Sequence, residues 1–331
     1  MTSVPARRRS SISVRPFTED LLGDAAALLA TRHRLHRVAE PLLPERFEQP
    51  DDALEQLRVA WSKDDASGAA AFRDGRLVSY VVGAPDDDAQ WVGPNVWVEF
   101  AGHAAEEAEA VRDLYAVAAA RWHDEDRSRH YVVVPAYDTA LGNAWWRLGF
   151  GLQQSYGVQE TGAREWPDTV RKAEPRDIET LAGLALQLRR THRDAPVFSA
   201  NRSGGDADAA RAWVEQSIAS PDTAVLVVED GRQVVGGIEV VPSELLGSEV
   251  SGHYGLARPD DSCYLSVAVT SRESRGSGAG TALTTAALAW GAHAGYRAIV
   301  TDWRVTNLEA SRFWPRRGFR ESFVRLYRSI P

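Results

Sequence analysis

Trp145 stands four residues before Gly149-Phe150, and Trp314 stands four residues before Gly318-Phe319. Each pair follows a short apolar run and precedes a final alternating one. Each also lies downstream of a hairpin signal, Asp74-Gly75 within 69–83 and Asp230-Gly231 within 224–241. An internal repeat of this kind requires one supersecondary order used twice: strand, helix, helix, hairpin, strand, helix, strand, helix, strand. Hairpins mixed with crossover helices predict an α/β protein with a mixed sheet and helices on both faces.

The periodicity places the elements. Residues 12–16 alternate as a first strand, and Leu22, Ala25, Ala26 and Leu29 mark a helix. The basic run 32–37 reads as the solvated end of that helix. A second helix is expected over 51–63, a strand within 91–100, a helix over 104–121, a strand at 131–134 and a helix over 141–148. The pattern lapses around Gly162 and Pro167 and then restarts. The expected division is a first half at 12–160, a linker at 161–168 and a second half at 169–331. Residues 1–11 carry Arg7-Arg8-Arg9 with no apolar core behind them, which predicts a disordered tail and no secretory signal. In the second half, helices are expected over 178–188 and around Ala210, Trp213, Val214, Ser217 and Ile218. A long polar loop, 242–261, separates the second hairpin from the next strand. A strand at 298–303, a helix from Asn307 and a strand at 323–328 complete the half.

The stretch from Tyr264 to Trp290 carries the chemistry. Leu265, Val267 and Val269 alternate as a strand, and Leu283, Ala286, Ala287 and Trp290 share one face of a helix. Between them, Arg275-Gly276-Ser277-Gly278-Ala279-Gly280 ends where the helix begins. A helix N-terminus offers unpaired N–H groups and a partial positive charge, and glycines let an anion approach the backbone. By itself a Gly-x-Gly-x-Gly turn is also compatible with a plain connection or a dinucleotide loop. No Lys-Ser/Thr follows it, so a Walker-type phosphate loop is disfavoured. Asp302 lies 22 residues beyond Gly280, near the spacing of a dinucleotide site, but the upstream hairpin does not fit that fold.

Composition narrows the field. The 331 residues carry a net charge of −8, which argues against a nucleic-acid partner. The single cysteine, Cys263, rules out an internal disulfide framework and a cysteine-based zinc cluster, and no metal is expected. A reducing, cytoplasmic setting fits, and no apolar run reaches the ~20 residues of a membrane span. Of 38 basic residues only Lys63 and Lys172 are lysine, a bias attributed to codon usage.

At Arg275, Gly278 and Gly280 the chain resembles the GNAT acetyltransferase superfamily, whose acetyl-CoA motif is (Arg/Gln)-x-x-Gly-x-(Gly/Ala) between a strand and a helix. A second match runs from Thr306-Asn307 through Ala310 to Phe313-Trp314 and Gly318-Phe319, similar to the family's Asn-x-x-Ala-x-x-Phe-Tyr-x-x-x-Gly-Phe segment. The resemblance is strong over about 168–331 and rests on element order and the Trp145 end over about 12–160. It implies a GNAT fold in two tandem acyl-CoA N-acyltransferase-like domains. In the first half, the place of the glycine loop reads Phe100-Ala-Gly-His-Ala-Ala-Glu-Glu-Ala-Glu109, with one glycine, no arginine and three glutamates. Such a loop repels a phosphate, so this half is expected to be degenerate and structural.

The resemblance further implies that acetyl-CoA lies where the strands 264–269 and 298–303 splay. Backbone groups of Val267, Ala268 and Val269 would hold the pantetheine and polarise the thioester carbonyl. Arg275, Gly276, Ser277, Gly278, Ala279, Gly280 and Thr281 would surround the pyrophosphate, and Asn307 and Trp314 would contact the cofactor. Thr306 and Glu309 have capping-box spacing at the helix start. The acceptor amine needs a base; Glu239 is placed first and Asp302 next, with His253, Asp260 and Asp261 as further candidates. Trp314 occupies the place of the family's thiolate-protonating tyrosine, so Tyr264, Tyr254, Tyr327 or water would take that role. The expected function is N-acetylation of a small-molecule or peptide amine by direct attack in a ternary complex. The expected assembly is a monomer or homodimer. A tandem GNAT without turnover, binding or sensing acyl-CoA, is the alternative. The loop 242–261 and the first half are expected to shape the acceptor pocket.

Overall fold

The computed structural model describes residues 12–86, 93–199, 206–245 and 255–331. The expected tail and the candidates His253 and Tyr254 lie outside these residues. The first half comprises β1 (Ser13–Pro16), α1 (Leu22–Ala39), α2 (Pro50–Trp61), β2 (Ser67–Arg73), β3 (Arg76–Gly83), β4 (Asn95–Val98), β5 (His103–Ala105), α3 (Ala110–Asp124), β6 (Arg129–Pro135), α4 (Thr139–Trp146) and β7 (Gly151–Glu160). The second comprises β8 (Val170–Lys172), α5 (Ile178–Arg193), α6 (Ala207–Ala219), β9 (Ala224–Asp230), β10 (Gln233–Pro242), β11 (Ser262–Thr270), α7 (Ala279–His293), β12 (Ala298–Arg304), α8 (Leu308–Arg316) and β13 (Arg320–Ser329). No helix among the described residues is long and apolar enough to cross a membrane.

The repeat is visible in both hairpins. Asp74 and Gly75 turn β2 into β3 with φ of 53° and 80°, the positive values a two-residue turn of this twist requires. The β9–β10 turn sits one residue later than its Asp-Gly signal: Asp230 pairs with Gln233, and Gly231 takes φ 64°. The helix expected from 104 begins at Ala110, because His103–Ala105 pairs with β3 instead. The run 32–37 is not a solvated end: Arg32, His33 and His36 are buried. Arg32 donates to the carbonyls of Phe100 and His103, closing the groove of the first half from α1.

The strands form a four-stranded sheet, β1-β2-β3-β5, and a nine-stranded sheet, β4-β6-β13-β7-β12-β11-β10-β9-β8. Its centre is an exchange. The last strand of the second half, β13, pairs with β6, and the last strand of the first half, β7, pairs with β12. The two exchanged strands pair with each other antiparallel. One face carries α7 and the aliphatic cluster of Leu226, Ile238, Val240, Leu265, Leu283 and Ile299. The other is covered by α5 and α6 in the second half, through Leu181, Leu184 and Val214. In the first half it is covered by α1 and α2, through Leu29, Leu57, Tyr156 and Phe323.

Candidate active site

β11 and β12 run parallel and stay paired from Ser262–Ala298 only to Leu265–Thr301, although β11 continues to Thr270 and β12 to Arg304. Beyond Leu265 the two strands part. At the same point β11 carries a bulge, since Glu239 faces Val267 and Val240 faces Leu265, leaving Ser266 as the extra residue. A bulge re-aims backbone and side chains where a strand must serve a site.

The gap opens into a cleft of about 530 Å³, within the range of small-molecule and cofactor sites. Ile238, Ala268, Leu283 and Trp314 give it an apolar floor, and Gln187, Leu188 and Thr191 of α5 form one wall. Gln187 is fixed by donating to the Thr270 carbonyl at 3.0 Å. At the outer end sits the glycine turn. Gly276 and Gly278 take φ of 81° and 97°, and Gly278 is the N-cap of α7 with no side chain of its own, the first amide, that of Ala279, donating to Ser277 Oγ at 3.4 Å. A Cβ on Gly280 would lie 3.3 Å from the Phe313 ring, so the floor of the turn admits only glycine without displacement.

Of the twelve residues expected at the cofactor, Ala268, Val269, Arg275, Gly276, Gly278, Gly280, Thr281, Asn307 and Trp314 line this cleft. Val267 points to the opposite face of β11, towards Leu181 and Trp213; Ser277, which is exposed, and Ala279, which is buried, do not line the cleft. Asn307 itself, rather than Thr306, caps α8: its Oδ1 accepts from the amides of Glu309 and Ala310. Trp314 is buried against Phe313 and Phe319, with ring centroids at 5.0 and 5.1 Å.

Most of the cleft's charge comes from residues outside the glycine motif. Arg312, Arg316 and Arg317 join Arg275 in the lining, and Glu309 is its single acid. Arg275 donates to Glu309 at 2.8 Å, and Arg317 donates to Thr281 Oγ1 at 2.9 Å. A spacing of four puts 312 and 316 on one side of α8, and 317 follows as its C-cap. That pattern was readable, but in an arginine-rich chain it did not stand out.

The expected catalytic residues separate into two groups on the face of the sheet away from α7. Glu239 is buried and accepts from the Ser266 hydroxyl at the bulge. It borders a void of about 20 Å³ enclosed by Leu181, Ala185 and Trp213, room for a single water. Asp302 accepts from the Tyr264 hydroxyl and, at 2.5 Å, from the Gln154 amide of β7. Asp260 is at the surface, 3.8 Å from Arg46. Two further groups border Asp302. His192, in the last turn of α5, lies below its ordinary pKa, mainly through burial, with Arg304 adding to the shift and Asp302 opposing it. Arg304 is lowered to about 10 by burial and by Arg325, yet remains a cation near neutral pH.

The first half repeats the parallel pair of strands. β4 and β6 are parallel from Asn95–Arg129 to Val98–Val132. Arg32, His103, whose Nε2 lies 2.8 Å from the Val133 carbonyl, and Trp145 are all buried there. The loop glutamates are already engaged: Glu106 with Arg76, Glu107 with Arg73, and Glu109 with Arg112 and Arg147.

Comparison with known proteins agrees with this geometry. Residues 187–319 match the model of the Acetyltransferase (GNAT) family. A GCN5-related N-acetyltransferase from Sphaerobacter thermophilus superposes with a TM-score of 0.55 at 15% identity, over 99% of this chain and 97% of that one. A GCN5-related glucosamine N-acetyltransferase region of a fungal multi-domain β-N-acetylglucosaminidase gives 0.54 at 13% identity, over 98% of this chain and 39% of that one. A tandem GNAT protein from the clavulanic acid biosynthesis pathway gives 0.49 at 15% identity, over 96% and 98%. No curated protein sequence matches significantly. Residues 187–319 thus match the Acetyltransferase (GNAT) family model, and along its whole length the chain shares the fold of the Sphaerobacter thermophilus GCN5-related N-acetyltransferase.

Proposed function

We propose that the protein is an N-acetyltransferase that moves an acetyl group from acetyl-CoA to a primary amine, with one active site per chain in the second half. The observation that carries this reading is the parting of β11 and β12 beyond Leu265 and Thr301, which leads directly to the open N-terminus of α7. The residues present fit the cofactor. A helix start with a glycine N-cap behind positive-φ glycines suits a pyrophosphate, the arginines at 275, 312, 316 and 317 supply cations around it, and the apolar floor suits the pantetheine. When bound, acetyl-CoA supplies an activated acyl group on a thioester whose sulfur leaves as a thiolate.

The chain's own groups do the rest. Backbone N–H groups of β11 past Leu265 have no partner strand on the β12 side and are available to polarise a carbonyl. Proton removal is assigned to Asp302 acting with Tyr264: as the amine nitrogen bonds the acyl carbon and the C–S bond breaks, the amine proton passes to this pair. Glu239 would serve through a water beside Ser266. Tyr264, already donating to Asp302, is poor as a direct acid for the thiolate. Trp314 packs rather than titrates. The first half, with Arg32, His103 and Trp145 buried, holds no CoA and acts as scaffold.

Release of CoA from acetyl-CoA, followed with a thiol reagent against a panel of primary amines, tests the reading. Amine-dependent release supports it. Tight acetyl-CoA binding without release across the panel supports the acyl-CoA-binding alternative.

A further inference from the structure

The cleft holds more positive charge than a pyrophosphate calls for. Four arginines line it against one acid, Glu309, which leaves three positive charges before the roughly +0.5 of the α7 start is added. A pyrophosphate diester carries about two negative charges, and a phosphomonoester adds about 1.5 to 2 near neutral pH. The cleft therefore matches a ligand bearing both groups and is over-charged for a pyrophosphate alone.

The arginines also fall into two pairs. Arg317 donates to Thr281 Oγ1 at 2.9 Å and lies over the Phe313 ring at 5.5 Å, and Arg275 of the glycine turn donates to Glu309 at 2.8 Å. Both stand by the first turn of α7, where Gly280 faces Phe313. Arg312 and Arg316 also line the cleft, but they are exposed, and neither has a hydrogen-bond or ion-pair partner among the described residues. At about 100° per residue, α8 carries this second pair on one side of Glu309 and Phe313 on the other. Their Cβ atoms are roughly 5–6 Å apart on successive turns, so both guanidinium forks reach one phosphate. Like charges at this spacing repel, and a dianion bridging them reverses the sign. We infer that Arg312 and Arg316 form a second anion subsite, separate from the glycine turn. It takes the 3′-phosphomonoester of coenzyme A and selects the 3′-phosphorylated donor over its dephospho form. This rests on the acetyl-CoA reading above and deepens it within the same cleft.

Calorimetric titration of CoA and of 3′-dephospho-CoA into the wild type, the double variant Arg312→Gln/Arg316→Gln and Arg275→Gln tests the subsite without turnover. The wild type should bind CoA about 10- to 100-fold more tightly than dephospho-CoA, the worth of one or two charge-assisted hydrogen bonds. In the double variant the loss falls mainly on CoA, and the preference drops below about threefold. Its melting temperature holds, because both side chains are exposed. Arg275→Gln should weaken both ligands and keep the preference. Equal affinity of the two ligands in the wild type, or an undiminished preference in the double variant, overturns the subsite while the acetyl-CoA reading stands. Binding of neither ligand by the wild type refutes that reading and the subsite with it.

Discussion

Arg275 is already engaged by Glu309, an acid in the first turn of α8 and the single one lining the cleft. An incoming phosphate must share that arginine. Glu309→Gln should therefore tighten acetyl-CoA binding by a fewfold at low ionic strength, and less at high salt, where exposed charges are screened. Arg275→Gln should weaken it by a similar or larger factor. A Glu309→Gln variant with weakened binding would contradict this arrangement. Gly278 gives the sharper case. Its φ of 97° is costly for any side chain, on the order of 1–3 kcal/mol, but nothing lies within 4 Å of a Cβ there. Gly278→Glu should keep the fold, lower the melting point by a few degrees and lose acetyl-CoA affinity by steric and charge conflict. Retained affinity would displace the site from this turn. These positions were legible because a motif needs only residue identity and order. Arg304, His192 and Gln154 were not, because their meaning comes from pairing across strands far apart in sequence.

Among the elements, α1 departs most from its sequence. Its mixed pattern of arginine and histidine reads as a solvated surface, yet its inner side closes the groove of the first half. Burial pushes His33 to about 4 and both His36 and the facing His103 to about 3. These rings are neutral in the fold, whereas the unfolded chain takes up protons below about 6.5. Their contribution is complete above that value and is lost as pH falls towards 4, each histidine adding a slope of up to about 1.4 kcal/mol per pH unit. The melting temperature should fall between pH 6.5 and 5, a window above most carboxylate titration. A flat profile there would show that these histidines are not buried neutral. The Asp-Gly signals found both hairpins, with the turn at Asp74-Gly75 in the first and one residue late in the second. The start of α3 was not, because His103–Ala105 looks helical by composition and pairs with β3 only through the surrounding sheet.

For the whole molecule, the exchange of β7 and β13 decides how the halves depend on each other. Strand periodicity reveals faces, not neighbours, so the repeat predicted two similar halves without predicting that each would lend its last strand. Glu40 and Glu160 both grip Arg320 at the start of β13, which anchors the exchange. Neither 12–160 nor 169–331 should fold as a stable monomer, and truncation before β13 should abolish the cooperative transition of the full chain. Calorimetry should show one transition for the intact protein. Two well-separated transitions, or a stable isolated second half, would contradict the mutual dependence.

A chain built from two similar halves with one cofactor loop should hold one acetyl-CoA. Isothermal titration with acetyl-CoA measures that directly. The predicted result is a stoichiometry of one per chain. Two sites per chain, or none, would contradict it.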